Sequence, residues 1–364
     1  MIVKERYFVH GDLSQDEMLY LKSAWKNYVA ENKIYKGQQY GSGRGIVMTA
    51  GGLKYFTAAV VLISNLRRQG CQLPIELWHY QDEITQEMQD FLTEFQVTCL
   101  DLNEYIDVKP HGFLMKSLSI VYSNFKDVLY LDTDNICAQD PTFLFDDENY
   151  KRIGCMFWPD YWHTSESNPI WSILDLEYAK CFEQDSGQLL IDKSRCWKPL
   201  QLSIHFNLEA KFYYKLIYGD KDTFRFAWMA LEQEFYMVSH PVGSCGIIAD
   251  NDVFYGNTMV QHDPEGNIQF LHRNLLKWDI TLGSEYVWEI IKRIKNYDDY
   301  DQCILKNSPA NHRAIDFYGD VIVEDAGDQL REIERQCLEC LESLRTEKFY
   351  QKALLEFYLT TNRK

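Results

Sequence analysis

Hydrophobic and polar positions divide the first 135 residues into alternating strand and helix patterns. Four short apolar runs predict strands, GIVMTA, PIELWHY, VTCLDL and DVLYLDTD. Between them, apolar residues recur every three or four positions, as they do on one face of a helix. Continuous apolar strands that alternate with helices are typical of a parallel sheet covered on both faces. The sequence therefore predicts an α/β fold with a Rossmann-like, mostly parallel central sheet flanked by helices.

The pattern differs on either side of this region. Residues 12–38 have helical spacing, so residues 1–40 are predicted to form an N-terminal helical extension. From about residue 151, short strands are separated by long loops rich in aromatic residues. Residues 283–364 are charged and helical in pattern. We therefore predict a main domain over residues 41–282 and a C-terminal helical extension over residues 283–364.

Charge and composition exclude several classes of partner. A net charge of -17 argues against binding to nucleic acid, which needs a cationic surface. No run approaches the ~20 apolar residues of a membrane span, and the first residues lack the apolar core of a signal peptide. These features predict a cytoplasmic protein without stable membrane insertion, with the Golgi lumen as the alternative if the sequence is a piece of a longer chain. Cys337 and Cys340 have no second pair nearby, which predicts structural thiols rather than a zinc site.

Two aspartates stand directly after the fourth predicted strand. Asp132 and Asp134, with Thr133 between them, belong to the motif VLYLDTDN. In parallel sheets, ligands bind at the carboxyl ends of the strands, so both carboxylates should lie at that edge. Carboxylate oxygens suit Mn²⁺ or Mg²⁺, which also bind the phosphate oxygens of a substrate. The motif therefore predicts a divalent cation site, in which Thr133 helps to bind the phosphate-bearing ligand.

A wider set of motifs carries a family resemblance. VLYLDTDN resembles the DxD strand of GT-A glycosyltransferases. With FWPDYW, NPIW, SGQLLIDKSRCW, GDKDTFRFAW and GNTMVQHDPEGNIQFLHRNLLKW, in this order from about Gly45 to Trp278, the chain resembles the α-mannosyltransferases that build branches and caps on fungal mannan.

The resemblance implies a GT-A fold and transfer of a hexose with retention of the α configuration. The expected donor is a nucleotide sugar, with GDP-mannose favoured, and the expected acceptor is a glycan or glycoconjugate. Two alternatives stay open: a hexosyltransferase of the glycogenin-like type that uses a UDP-sugar, and an inactive sugar-binding protein with a GT-A fold.

The same resemblance assigns residues to the metal and the donor diphosphate. His272 and Lys277 match the late His…Lys-Trp segment of glycogenin-related enzymes, in which the histidine completes the metal site and the lysine contacts the diphosphate. The spacing differs by one residue, so His262 is a competing metal ligand. Lys116 matches a basic residue that faces the nucleotide. The residues expected around the base and ribose are Thr49, Ala50, Gly51 and Tyr55.

Other matched segments are expected to border the sugar. The residues assigned to this catalytic region are Asp160, Asp185, Gln188, Asp220 and Lys221. Lys221 stands where related galactosyltransferases have glutamine. Trp158 and Trp162 are expected either to stack on a sugar or to pack in the core. A front-face reaction needs no protein base, whereas double displacement needs a carboxylate nucleophile, for which Asp160, Asp185 and Asp220 are candidates.

Overall fold

The computed structural model describes residues 13–31, 40–107, 109–249, 252–280, 285–295, 302–307 and 313–361. Within these ranges the α-helices are α1 Gln15–Ala30, α2 Gly52–Arg68, α3 Gln86–Thr93, α4 Gly112–Tyr122, α5 Glu148–Ile153, α6 Ile170–Ile173, α7 Trp197–Leu208, α8 Ala210–Tyr213, α9 Lys221–Ala230, α10 Gly327–Leu344 and α11 Lys348–Thr361.

The strands are β1 Arg44–Thr49, β2 Ile75–His79, β3 Val97–Asp101, β4 Asp127–Leu131, β5 Asn135–Cys137, β6 Cys155–His163, β7 Phe182–Asp192, β8 Tyr236–Met237, β9 Gly243–Ile248, β10 Phe254–His262, β11 Ile268–His272, β12 Ile290–Ile294, β13 Gln302–Asn307, β14 Arg313–Tyr318 and β15 Val321–Asp325. Three short 3-10 helices follow β2, β3 and β5, at Gln81–Glu83, Leu102–Glu104 and Pro141–Asp146.

The central sheet has the strand order β3-β2-β1-β4-β7-β6-β8. The first four strands of this order are mutually parallel, and β7 then pairs antiparallel with both β4 and β6. Every residue of β2, β6 and β7 is buried, as expected of strands covered on both faces. The predicted fold class, an α/β fold with a mostly parallel sheet flanked by helices, is confirmed.

A second sheet is formed by β5 and by the strands that follow β8 in the chain. Its order is β13-β14-β10-β9-β12-β15, with β11 paired to β10 and β5 paired to β11. All of its pairs are antiparallel. The apolar runs TMVQHD and IQFLHR predict β10 and β11, whereas no run predicts β5 or β9. β5 is only three residues long, too short to show a repeating pattern of apolar positions.

The helical prediction for residues 283–364 is wrong over β12 to β15. Residues 290–325 contain these four strands, and helix begins only with α10. Runs rich in Ile and Val, such as VIVED at 321–325, favour pleated strands, and β12 and β14 find partners in β9 and β10. The proposed domain limits stay a prediction. In the N-terminal extension, the described helix is α1, which begins with a capping box between Ser14 and Glu17.

Helix α2 fixes the position of β5, the strand that follows the two aspartates. Asn65 on α2 is buried, and its side-chain amide donates to the carbonyl of Cys137 at 3.1 Å. Its side-chain oxygen accepts from the N–H of Cys137 at 2.9 Å. Both backbone groups of a strand residue are thereby satisfied by one side chain, which holds β5 against the helix.

Replacing this side chain should loosen β5. We expect Asn65→Ala to lower the free energy of unfolding by about 3 kcal/mol, because two buried backbone groups lose their partner. Urea unfolding of the variant measures this loss. Lys54→Ala, an exposed change on the same helix, is the control and should alter stability by less than about 0.5 kcal/mol. A loss at position 65 no larger than that of the control would contradict the role assigned to Asn65.

Candidate active site

The chain turns sharply after β4, at the carboxyl edge of the central sheet. Asp132 donates its backbone N–H to the carbonyl of Gly187 on β7 at 2.8 Å, and Asn135 donates its N–H back to the carbonyl of Asp132 at 3.0 Å. β5 then starts at Asn135 and pairs antiparallel with β11, which sets His272 opposite Asn135. A histidine distant in sequence is therefore held beside the two aspartates by strand register.

Asp132, Asp134 and His272 form a group of potential metal ligands. One ligand atom from each residue lies within 4.8 Å of the other two. His272 Nε2 is 3.3 Å from Asp134 Oδ1. Asp134 and His272 are buried, whereas the Asp132 side chain is 28% exposed, so the group opens on one side. Two carboxylates and one imidazole, with an open side, fit a Mn²⁺ or Mg²⁺ ion that also binds an incoming phosphate.

His262, the competing histidine, lies elsewhere in the fold. It ends β10, and its backbone carbonyl accepts the indole N–H of Trp158 at 2.8 Å. Burial lowers the pKa of His262 to about 4, and His240 also lowers it. Among the residues that the structure describes, no group of three potential ligands includes His262. The structure thus brings together the aspartates and His272 rather than His262.

Each of the two aspartates forms an ion pair with a different lysine. Lys116 Nζ is 3.1 Å from Asp132 Oδ2 and 3.2 Å from Asp220 Oδ2, and it also donates to the hydroxyl of Ser186 at 2.8 Å. Lys277 forms an ion pair with Asp134 and keeps 38% of its side chain exposed. Partial burial opposes protonation of Lys277, but Asp134 outweighs it and raises its pKa.

The site carries more negative than positive groups. Its four carboxylates, from Asp132, Asp134, Asp185 and Asp220, face the ammonium groups of Lys116 and Lys277. His272 lies between two of these carboxylates. Burial opposes protonation of its imidazole, but Asp185 and Asp134 outweigh burial and raise its pKa to about 10. The imidazolium therefore offsets part of the negative charge of Asp134 and Asp185.

The first strand-to-helix turn is linked to the aspartates through one phenol. Thr49 Oγ1 is 2.9 Å from Tyr130 Oη, which donates to Asp132 Oδ1 at 3.1 Å. Ala50 is buried, and Tyr55 is half exposed in the first turn of α2. At Gly51 a Cβ would lie 2.2 Å from a carboxylate oxygen of Glu83, so a larger residue there would displace the Glu83 side chain. The predicted nucleotide side of the site is thus assembled next to Asp132.

Asp185 and Gln188 lie on β7, directly behind the metal-ligand group. Asp185 accepts from the N–H of Gly187 at 3.0 Å, from Gln188 at 2.8 Å and from Gln261 at 3.2 Å. Its carboxylate is 3.4 Å from Nδ1 of His272. Burial favours the neutral acid, but His272 and these donors lower the pKa of Asp185 to about 2. Asp185 therefore orients the imidazole as an ionised carboxylate.

Lys221 and Asp160 belong to a second charged network, next to the first. Lys221 Nζ lies 2.5 Å from Asp160 Oδ2 and 3.2 Å from Asp222 Oδ2, and Glu183 is its third carboxylate partner. Burial opposes protonation of Lys221, but the three acids outweigh it and raise the pKa. The fully buried Arg225 donates to Asp222 at 2.9 Å and neutralises part of the remaining negative charge. Lys221 thus stands as a fixed cation at the N-terminus of α9.

Trp158 does not serve as a sugar-stacking residue. Its side chain is completely buried and packs edge-on against Phe270, with 5.3 Å between ring centroids. Trp162 is also buried, in an apolar cluster that includes Phe317. Trp158, the interior-facing residue of a strand buried on both faces, has no route to a ligand.

The structure adds residues that the sequence analysis does not select. Those in contact with predicted site residues are Tyr130, Asn135, Glu183, Ser186 and Gln261. One signal could have identified two of them: Glu183 and Ser186 are polar residues inside a strand that is buried along its whole length. The others become visible only when the fold brings β4, β5 and β10 close to β7.

Comparison with known proteins shows the family to which this chain belongs. The family model described as "Mannosyltransferase putative" matches residues 43–183 and 177–263, which together cover more than half of the chain. The chain belongs to this mannosyltransferase family. The match contains both aspartates, Lys116 and the Lys221 network, whereas His272 and Lys277 lie beyond its end.

Two of the curated relatives are fungal mannosyltransferases. Alpha-1,2-mannosyltransferase MNN21 of Candida albicans is 27% identical over 74% of this chain and 50% of its own length. Alpha-1,2-mannosyltransferase MNN2 of Saccharomyces cerevisiae is 27% identical over 82% of this chain and 59% of its own length. The chain thus spans half to three fifths of these two relatives.

Within the ranges described above, no helix has the length and apolar character needed to cross a bilayer.

Solved structures overlap with this chain only in part. The bifunctional glycosyltransferase WbbM has a TM-score of 0.42 at 11% identity, with 54% of this chain and 39% of that chain covered. The galactosyltransferase LgtC, in complex with donor and acceptor sugar analogues, has a TM-score of 0.40 at 14% identity, with 53% and 72% covered.

Gly187 should be essential to the geometry around His272. A Cβ at this position would lie 2.4 Å from Nδ1 of the imidazole, so Gly187→Ala must displace the ring. We expect Mn²⁺ affinity to fall at least about tenfold, the usual effect of disturbing a ligand's supporting shell. Calorimetric Mn²⁺ titration measures it. Gly112→Ala is the control, because a Cβ there meets nothing within 4 Å. Equal affinities for both variants would disprove the steric argument.

His262 should affect stability at acid pH rather than metal binding. Its pKa is about 4 in the folded chain, against about 6.5 when unfolded. Only the unfolded state binds this proton between those values, so the free energy of unfolding should fall by about 1 kcal/mol per unit as pH drops from 6.5 to 4. His262→Gln should remove this contribution from urea unfolding curves and leave Mn²⁺ affinity unchanged. Weakened Mn²⁺ binding would instead make His262 a ligand.

Proposed function

We propose that this protein is a metal-dependent, retaining glycosyltransferase that moves a hexose from a nucleotide-sugar donor to a glycan or glycoconjugate acceptor. One observation carries the proposal: Asp132, Asp134 and His272 converge within 4.8 Å at the carboxyl edge of an α/β sheet, with a lysine on each side. Oxygen and imidazole ligands beside two ammonium groups make a site for a cation and a diphosphate together.

Family membership supports mannose as the sugar and GDP-mannose as the donor. The relatives named above are alpha-1,2-mannosyltransferases, so an α-1,2 linkage to a mannose-containing acceptor is the first possibility to test. A UDP-sugar is the competing donor, since the turn at Thr49 to Tyr55 does not by itself distinguish guanine from uracil. The compartment in which the reaction takes place stays a prediction.

A bound cation would place positive charge where the leaving group would develop negative charge. A divalent cation held by Asp132, Asp134 and His272 would act there as a Lewis acid on the diphosphate. Lys277 is partly exposed beside Asp134 and can contact a phosphate oxygen, and Lys116 holds Asp132 in place. These fixed groups stabilise the departing diphosphate more as the bond to the sugar breaks, which accelerates the chemical step.

The surroundings of the three candidate nucleophiles favour the front-face reaction. Asp160 is engaged by Lys221 and by the N–H of Tyr161 at 2.6 Å. Asp185 accepts three hydrogen bonds and faces His272. Cations and hydrogen-bond donors around a carboxylate stabilise its negative charge, which makes it a weaker nucleophile. Asp220 has Lys116 as its ion-pair partner and is better suited to hold a sugar hydroxyl beside the reacting bond.

The decisive test removes the central ligand. Asp134→Asn should lower donor turnover at least about a thousandfold, because the substitution removes a charge from the metal site while the amide keeps its size. Hydrolysis of GDP-mannose and of UDP-sugars with Mn²⁺ measures turnover, and thermal shift with Mn²⁺ plus each nucleotide diphosphate measures binding. Asp146→Asn is the control, since Asp146 pairs with Arg44 at the surface.

Each result separates one alternative. Stabilisation by Mn²⁺ with GDP but no turnover of any donor would favour the inactive sugar-binding protein. Turnover of a UDP-sugar in preference to GDP-mannose would select the glycogenin-like alternative. Full activity of Asp134→Asn would reject the metal site.

A further inference from the structure

Helix α10 is tied to the loop that carries Lys277. Arg273, the residue after His272, forms an ion pair with Glu334 of α10, with 3.0 Å between Nη1 and Oε1. Arg273 is 3% exposed and Glu334 is 1% exposed. The Glu334 carboxylate also accepts the backbone N–H groups of Val287 and Trp288, each at 3.0 Å. A single buried carboxylate therefore joins α10 to the end of β11 and to the segment before β12.

Arg273 makes further contacts on each side of the site. Its backbone N–H donates to the carbonyl of Asp134 at 2.9 Å. Its Nε donates to the carbonyl of Leu276 at 2.6 Å, and its guanidinium carbon is 4.2 Å from the ring centroid of Trp278. Arg273 thus holds the residues immediately before and after Lys277, together with the backbone of a predicted metal ligand.

We infer that Arg273 and Glu334 are positioning residues, which hold Lys277 and His272 beside Asp134. Helix α10, which carries Glu334, therefore contributes to the geometry of the site. This inference rests on the proposed function. Neither residue would touch the donor. Both act through the loop, because Lys277 lies on irregular backbone between β11 and β12 that must be ordered from outside. The family match ends at residue 263, so this support lies outside the matched segment.

The geometry also explains why this ion pair is difficult to replace. The guanidinium forms directed bonds to Glu334 and Leu276 at once while its flat face lies on Trp278. A lysine could keep the charge but not both bonds and the stacking. Arg345 reinforces the same attachment, since its Nε donates to the carbonyl of Ile280 at 3.2 Å, farther along the loop.

Glu334→Gln tests the inference, with Glu339→Gln as the matched control. Glu339 lies on the same helix but pairs with Arg335 at the surface. We expect Glu334→Gln to raise the Kd for Mn²⁺ and lower kcat with the best donor, each about 10- to 100-fold, as for other groups that orient ligands. The KM for the donor should change less than kcat, because Lys277 acts on charge that develops during the reaction. The control should match the wild type in all three.

A purely structural ion pair would give a different result. In that case Glu334→Gln would lower the Tm while folded protein kept wild-type Mn²⁺ affinity and kcat, and the inference would be overturned. If Glu334→Gln does not fold, Arg273→Lys replaces it: the same losses support the inference, and wild-type values overturn it. If the wild-type protein itself binds no Mn²⁺ and turns over no donor, the proposed function fails, which is a separate result from failure of the positioning inference.

Discussion

The pairing of β5 with β11 is the constraint on which the site depends. Two aspartates at the end of a parallel strand supply carboxylates, but a third ligand must come from elsewhere in the chain. The chain supplies it by continuing from the aspartates into a three-residue strand whose partner ends in His272. Strand register is discrete, so a slip of one residue would turn the imidazole to the opposite face. The short β5 is therefore held from two directions, by β11 and by Asn65 of α2.

Much of the central sheet could be predicted from apolar patterning, because its strands are buried on both faces and stand between amphipathic helices. The same reasoning predicts which residues lie at the carboxyl edge of the sheet, namely Asp132, Asp134 and the turn at Gly51. Trp158 shows the limit of that logic. In FWPDYW, an aromatic residue beside polar neighbours resembles a sugar-stacking residue. Its side chain is nevertheless buried, because this strand is covered on both faces.

The remainder of the site depends on contacts between segments that are far apart in the chain. These contacts cannot be predicted from a single sequence. Glu183 and Lys221 are 38 residues apart and meet because α9 packs on β7. Arg273 and Glu334 are 61 residues apart and meet because α10 lies beside the loop that follows β11. The choice between His262 and His272 has the same origin. Both histidines end strands, and the register of β11 with β5 places His272 beside the aspartates.

The surplus of carboxylates beside Asp134 has a consequence for binding at the site. A nucleotide diphosphate that approached the metal-free protein would meet four carboxylates, which Lys116, Lys277 and the protonated His272 neutralise only in part. The divalent cation of the proposed function would make the local field positive. Binding of the cation and binding of the donor would then be linked, so the cation concentration around the protein would affect how much donor is bound.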